Sequence, residues 1–234
     1  MDAMEASVAT RGDHWIPCVG QSRVAHFVSG DKLQKVLAQS RENLSRVFDY
    51  GPQAVSATKE GRGDGFACAV SDPNFNDCPL VYISSGFDKL TGYSSEFSCG
   101  RSCRFLQPIS AVVNDAFNLG ERKKMREFCT TLQPAGTTIV NLLLNERYTG
   151  ERFWNLLHMT YVEVEGELFI LGVQTNLEAH MPRSISKAVE DDAKDRKVVG
   201  DSKGLIGHLD VLRAELQGMH AQGQPIIEMK GFAT

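Results

Sequence analysis

The sequence predicts an α+β domain in which helices cover one antiparallel sheet. Two short apolar runs open the dense part of the chain at 66–71 and 80–83, and short helical segments fill its middle. Three longer strand-like runs close it at 138–145, 152–162 and 167–175. Strands first, small helices next and consecutive strands last give this class rather than an alternating βαβ one. Composition bounds the rest. The 234 residues carry 25 Lys+Arg against 29 Asp+Glu, a net charge of −4, and 42% are apolar. A chain of this kind buries a substantial core and lacks the basic footprint of a nucleic-acid binder. It has no 18-residue apolar run for a membrane span, and residues 1–12 lack the apolar stretch of a secretory signal. Six cysteines without a CxxC pair read as free thiols in a cytoplasmic chain, with the nucleus left open.

Residues 1–30 are mixed, punctuated by Gly12, Pro17, Gly20 and Gly30, and read as a flexible N-terminus. Leu33, Val36, Leu37, Leu44, Val47 and Phe48 then share a helical face, which predicts a helix over 31–49 ending near Gly51-Pro52. With the glycine-rich linker behind it, this forms an N-terminal extension over 31–65. The two early strands are separated by the turn residues Asp72-Pro73-Asn74. Helical pieces follow at about 85–107, then a loop over 108–120. A helix over 121–133 carries Met125, Phe128 and Leu132. Thr149-Gly150 and Glu165-Gly166 supply the turns between the last three strands. Beyond 178 a linker dense in both charges leads to Leu205, Leu209, Leu212, Leu216 and Met219, spaced 4, 3, 4 and 3 apart. That is an a/d seam, too short to be stable alone, which packs either on its own domain or on a second copy.

Residues 100–107 read Gly-Arg-Ser-Cys-Arg-Phe-Leu-Gln. This segment resembles GRNCRFLQ, the signature of the LOV (light-oxygen-voltage) subfamily of PAS domains, and differs from it only at Ser102. Asp72-Pro73, Gly86-Phe87, Thr91-Gly92-Tyr93, Phe153-Trp154-Asn155-Leu156-Leu157-His158 and Gly172-Val173-Gln174 stand in family order as well. The resemblance covers 66–178 and implies a PAS fold: a five-stranded antiparallel sheet with helices on one face, here flanked by N- and C-terminal helices.

The resemblance also implies a flavin, with Cys103 as the thiol whose sulfur bonds to carbon C4a of the ring in blue light. The flanking arginines need not make a thiolate, because the excited flavin supplies the reactivity. Asn145 and Asn155 fall where the family places two asparagines on neighbouring strands against the pyrimidine edge. Side-chain amides suit that edge because each offers an acceptor and a donor. Gln107 is expected near the ribityl chain, Arg104 on the phosphate, and Phe87, Leu106, Leu157 and Ile170 on the ring faces. Gln174 carries the switch. Strand parity places it with Ile170 and Gly172, facing flavin N5 and O4, and protonation of N5 would turn its amide.

The chain departs from the family at three places. Ser102 shortens one polar ligand, Cys78 stands before Pro79 where relatives carry asparagine, and the segment between Gln107 and Met125 is enlarged. The second phosphate-binding arginine is displaced, with Cys129 near its position and Arg122 or Arg126 as substitutes; Lys123 or Lys124 could add to a second phosphate. FMN is therefore the expected cofactor, with FAD possible because of the long loop 108–120. No metal site is read, since Cys99 and Cys103 have no matching ligands. The expected function is a blue-light photoreceptor with no turnover. It would signal through helices 31–49 and 203–219 as a light-dependent homodimer or by docking an unknown protein. A flavin-binding redox sensor or a ligand-free PAS interaction adaptor is the alternative.

Overall fold

The computed structural model describes residues 67–177 and 203–223, with Lys35, Phe48–Asp49 and Ile227–Glu228. Five strands form the main sheet: β1 (Ala67–Ser71), β2 (Leu80–Ile83), β3 (Thr138–Glu146), β4 (Arg152–Val164) and β5 (Glu167–Asn176). Their order is β2-β1-β5-β4-β3, antiparallel throughout, so β5 lies at the centre between β1 and β4, with β2 and β3 on the edges. The β4–β5 connection is the two-residue turn Glu165-Gly166, with φ of 57° and 79°. Positive φ at both positions is what a tight hairpin needs to match strand twist.

Between β2 and β3 lie α1 (Ser85–Thr91), α2 (Ser95–Ser98), a 3₁₀ turn (Cys103–Leu106) and α3 (Ala111–Thr130). The Ser84 hydroxyl caps α1 by accepting from the Phe87 amide at 3.2 Å, and it also accepts from the Cys68 amide on β1 at 3.0 Å. One side chain thus starts the helix and ties it to the sheet. Gly92 ends the helix in the left-handed region, at φ 75°. A Cβ there would come within 3.1 Å of the Tyr148 Cβ.

The expected loop over 108–120 and the helix over 121–133 need correction. α3 begins at Ala111, where Ser110 caps it by accepting from the Val113 amide, and it ends at Thr130. Gly120 and the polar residues around it read as a break, yet those polar residues bind the sheet edge. Asn118 Nδ2 donates to the Leu144 carbonyl at 2.8 Å, and the Leu144 amide donates back to Asn118 Oδ1 at 2.9 Å. The Leu142 amide donates to Glu121 Oε2 at 3.2 Å, and Lys124 Nζ donates to the Val140 carbonyl at 2.8 Å. Side chains on one helix face therefore do for β3 what a sixth strand would do. At the other end, Leu132 lies outside the helix and exposed.

The C-terminal helix α4 (Lys203–Ala221) packs on the sheet face opposite α1 and α2. Leu209 and Leu216 of the predicted seam are buried against Leu142, Leu144, Trp154, Leu156, Leu171 and Val173. Of the two partners the spacing allowed, the chain's own sheet takes it. Arg213 fastens the helix by donating to the Leu142 carbonyl at 3.0 Å and to the Phe117 carbonyl at 2.5 Å. With both faces covered, β4 is buried almost continuously from Phe153 to Val162.

Lys35 is helical, but Phe48–Asp49 is a strand that pairs in parallel with Ile227–Glu228, so the predicted helix does not reach residue 49. The rest of that helix, the N-terminus and the charged linker lie outside the described residues. Among the described residues no helix is long and apolar enough to cross a membrane.

Candidate functional site

The inner face of the sheet, the turn after β1, the 3₁₀ turn and one face of α3 enclose a cavity of about 410 Å³. Strand alternation supplies its floor: Leu143 and Asn145 from β3, Asn155, Leu157 and Met159 from β4, Ile170, Gly172 and Gln174 from β5. The intervening residues Leu171 and Val173 point into the opposite core, as the parity of Gln174 requires. Gly172 keeps the floor low, since a Cβ there would stand 3.4 Å from Leu157 Cδ1. Ser102, Cys103, Arg104, Leu106 and Gln107 enter from the 3₁₀ segment, and Arg122, Met125, Arg126 and Cys129 from α3.

Apart from Phe87 and the two lysines offered for a second phosphate, every predicted site residue lines this cavity. Phe87 is fully buried behind it, with Leu80, Ile83, Tyr93 and Phe105, so the expectation of a ring-facing wall is corrected. Burial against the same elements reads alike in sequence whether a side chain faces a ligand or its own core. Lys124 also turns away, being spent on Glu121 at 3.0 Å and on the strand edge. Lys123 is exposed and outside the cavity. Residues 122, 125, 126 and 129 fall at i, i+3, i+4 and i+7, one helical stripe that lies wholly within the helix predicted over 121–133.

Three buried amides meet on the floor. Asn155 Nδ2 donates to Gln174 Oε1 at 3.1 Å. Asn145 Oδ1 and Asn155 Oδ1 are buried with no hydrogen-bond partner among the described residues. Each such atom costs about 1–3 kcal/mol, so the floor suits a planar ligand that presents donors and acceptors along one edge. Asn114 Nδ2 donates to Gln107 Oε1 at 3.2 Å, which orients Gln107 on the wall. At the rim Arg104 is ion-paired with Asp77 and Arg122 with Asp115, the latter at 2.6 Å. Arg126 lies on the same rim. An anionic ligand group would exchange these carboxylates for itself.

The thiols differ in character. Burial, reinforced by nearby Cys129, pushes the Cys103 thiol up to about 12, so it is fully protonated at neutral pH. Cys129 lies below its ordinary value because Cys78 hydrogen-bonds to it, with Arg104 adding to the effect, while the same bond raises Cys78. Cys68 is raised to about 11 by burial and lies outside the cavity.

A family model described as PAS domain matches residues 63–179, half of the chain. The chain belongs to the PAS domain family. Within it, this PAS domain is of the LOV type, as the GRSCRFLQ segment implies. Among its curated relatives is Phototropin-2 of Oryza sativa subsp. japonica, 34% identical over 52% of this chain and 12% of that protein. Another is Blue-light-activated histidine kinase 1 of Erythrobacter litoralis, 37% identical over 51% of this chain and 32% of that one. The chain thus spans a third or less of the length of these relatives. A solved structure of the LOV domain from Erythrobacter litoralis EL346 blue-light activated histidine kinase is 28% identical. It covers 48% of this chain and 95% of its own, with a TM-score of 0.41. The long segment invoked for FAD is, from Ala111 on, the first half of α3 rather than an open loop.

Proposed function

We propose that this chain is a blue-light photoreceptor, not an enzyme, that binds FMN in the cavity and uses Cys103 as its photoreactive thiol. The observation that carries the reading is the cavity itself: the Cys103 thiol among three that line it, three buried amides on its floor with two unpartnered oxygens, apolar Leu106, Leu143, Leu157 and Ile170, and arginines at the rim. When bound, the flavin supplies absorption in the blue and, once excited, a ring carbon C4a that accepts the Cys103 sulfur. The chain's residues do the rest. Asn145 and Asn155 hold the pyrimidine edge, Ser102 and Gln107 the side chain, and Arg104 with Arg126 or Arg122 the phosphate. Cys103 is protonated at rest, so it would bring a sulfur and a proton together, the proton being available to flavin N5.

Gln174 is the reporter of that proton. Its Oε1 accepts from Asn155, which leaves its NH₂ group for the acceptor N5. With a flavin bound, a proton at N5 would call for an acceptor there, and Gln174 and Asn155 would exchange donor and acceptor roles together. The change lies on β5, whose opposite face carries α4. Weakened docking of α4 would free its seam for a second copy or another partner.

Absorption spectroscopy tests the reading. Reconstituted protein should show an oxidised flavin band that bleaches in blue light and recovers in the dark. Cys103→Ala should stay yellow and fail to bleach. A chain that retains no flavin, or a persistent bleach in Cys103→Ala, overturns it, and mass spectrometry of the released chromophore decides FMN against FAD.

A further inference from the structure

Two thiols besides Cys103 face the cavity. Cys78 closes the turn between β1 and β2, and Cys129 is the penultimate residue of α3. Both are half-buried and reduced, they line the same cavity, and they pack on the same cluster around Phe128 and Ile170, near enough for each thiol to shift the ionisation of the other. The turn is well defined: the Asp72 amide donates to the Pro79 carbonyl at 3.0 Å, and Asp72 Oδ1 accepts from the Asn74 amide at 2.9 Å. It presents Cys78 through left-handed backbone at Asp77 and Cys78, with φ of 70° and 47°. Non-glycine residues rarely adopt that conformation, and it is retained where surroundings over-determine it. The Arg104 guanidinium stands by and favours a negative charge on Cys129.

We propose that Cys78 and Cys129 are a redox modification site: a peroxide converts them to a reversible disulfide that staples the β1–β2 turn to α3 across the cavity rim. The Cys129 thiol ionises, and its thiolate attacks one oxygen of hydrogen peroxide, forming an S–O bond as the O–O bond breaks; the departing hydroxide takes up the proton released by that ionisation and leaves as water. The Cys78 sulfur then attacks that sulfur. An S–S bond forms, the S–O bond breaks, and the hydroxide leaves as water with the Cys78 proton. Two thiols lose two electrons and one peroxide becomes two waters. A dithiol reductant reverses the step. The staple joins the elements that bear Asp77 and Arg126, so it fixes the rim through which the ligand passes; this consequence rests on the flavin reading.

The test is peptide mass mapping of the full chain, in the dark, after hydrogen peroxide and alkylation of remaining thiols. The expected result is a Cys78–Cys129 linked peptide, two hydrogens lighter than the reduced pair, that disappears on dithiothreitol treatment. Cys78→Ser should strand Cys129 as a sulfenic acid that dimedone labels, and Cys129→Ser should leave Cys78 alkylated. In flavin-loaded protein the oxidised form should release flavin more slowly than the reduced form. The site is overturned by a disulfide that joins Cys103 instead, or by separate oxidation of the two sulfurs without a link. The mapping works equally in flavin-free protein and in Cys103→Ala, so its failure is distinguishable from a failure of the photochemistry.

Discussion

A thiol raised to about 12 is a poor nucleophile at neutral pH, and Cys103 is therefore inert until something else changes. On the proposed reading, the amides around it set the affinity for flavin. Asn145→Ala should weaken flavin binding by about fivefold to tenfold, the worth of one ordinary hydrogen bond, measured by fluorescence quenching on titration. Gln174→Leu should keep the bleach but lose the light-driven change in α4, because it removes the reporter while sparing the thiol. On the opposite face, His158 is lowered to about 3 by burial and by His220, whose ring lies 5.5 Å away. The folded chain thus holds His158 neutral where the unfolded chain, near 6.5, would take a proton. Its contribution to stability is complete above pH 6.5 and is lost as pH falls toward 3, by about 1.4 kcal/mol per pH unit. Thermal melts should be flat above neutrality and decline below pH 6.5, and His158→Gln should flatten that decline.

At the scale of elements, the sheet was legible because its strands are apolar, strand-like runs and its turns carry Gly or Asp-Pro-Asn. The bounds of β2 agree with the sequence reading at both ends, and β1, β3, β4 and β5 differ from it by two residues or fewer. α3 was half legible. Asn118 and Glu121 are polar residues whose partners are strand amides far along the chain, and no local pattern announces that. The site was legible through Cys103 and its neighbours, since the octapeptide fixes a turn. The Cys78–Cys129 contact was not, because it exists only once a turn and a helix meet. Removing the edge bonds should be costly. Asn118→Leu leaves the Leu144 amide and carbonyl buried without partners, so unfolding in urea should show a loss of about 1–3 kcal/mol for each group. Arg213→Ala should cost a similar amount through Leu142 and Phe117.

At the scale of the whole molecule, the proposed signalling and the stability of the fold draw on the same surface. Full burial of a leucine is worth about 2 kcal/mol, and Leu209 and Leu216 are both almost wholly covered. Any dimer built on that seam must first uncover it. Leu209→Asp should therefore undock α4 in the dark and reproduce the illuminated hydrodynamic profile, as read by size-exclusion chromatography with light scattering. Identical dark and lit profiles would remove the helix-release output.

The double covering of β4 also sets a rule for transplantation. A sensor cassette cut after Leu177 would carry Trp154, Leu156 and Leu171 on a bare greasy wall, with the Leu142 carbonyl deprived of its Arg213 clasp. Such a cassette should clump or borrow a neighbour's helix. Fusions meant to inherit this domain's behaviour need to include residues 203–221.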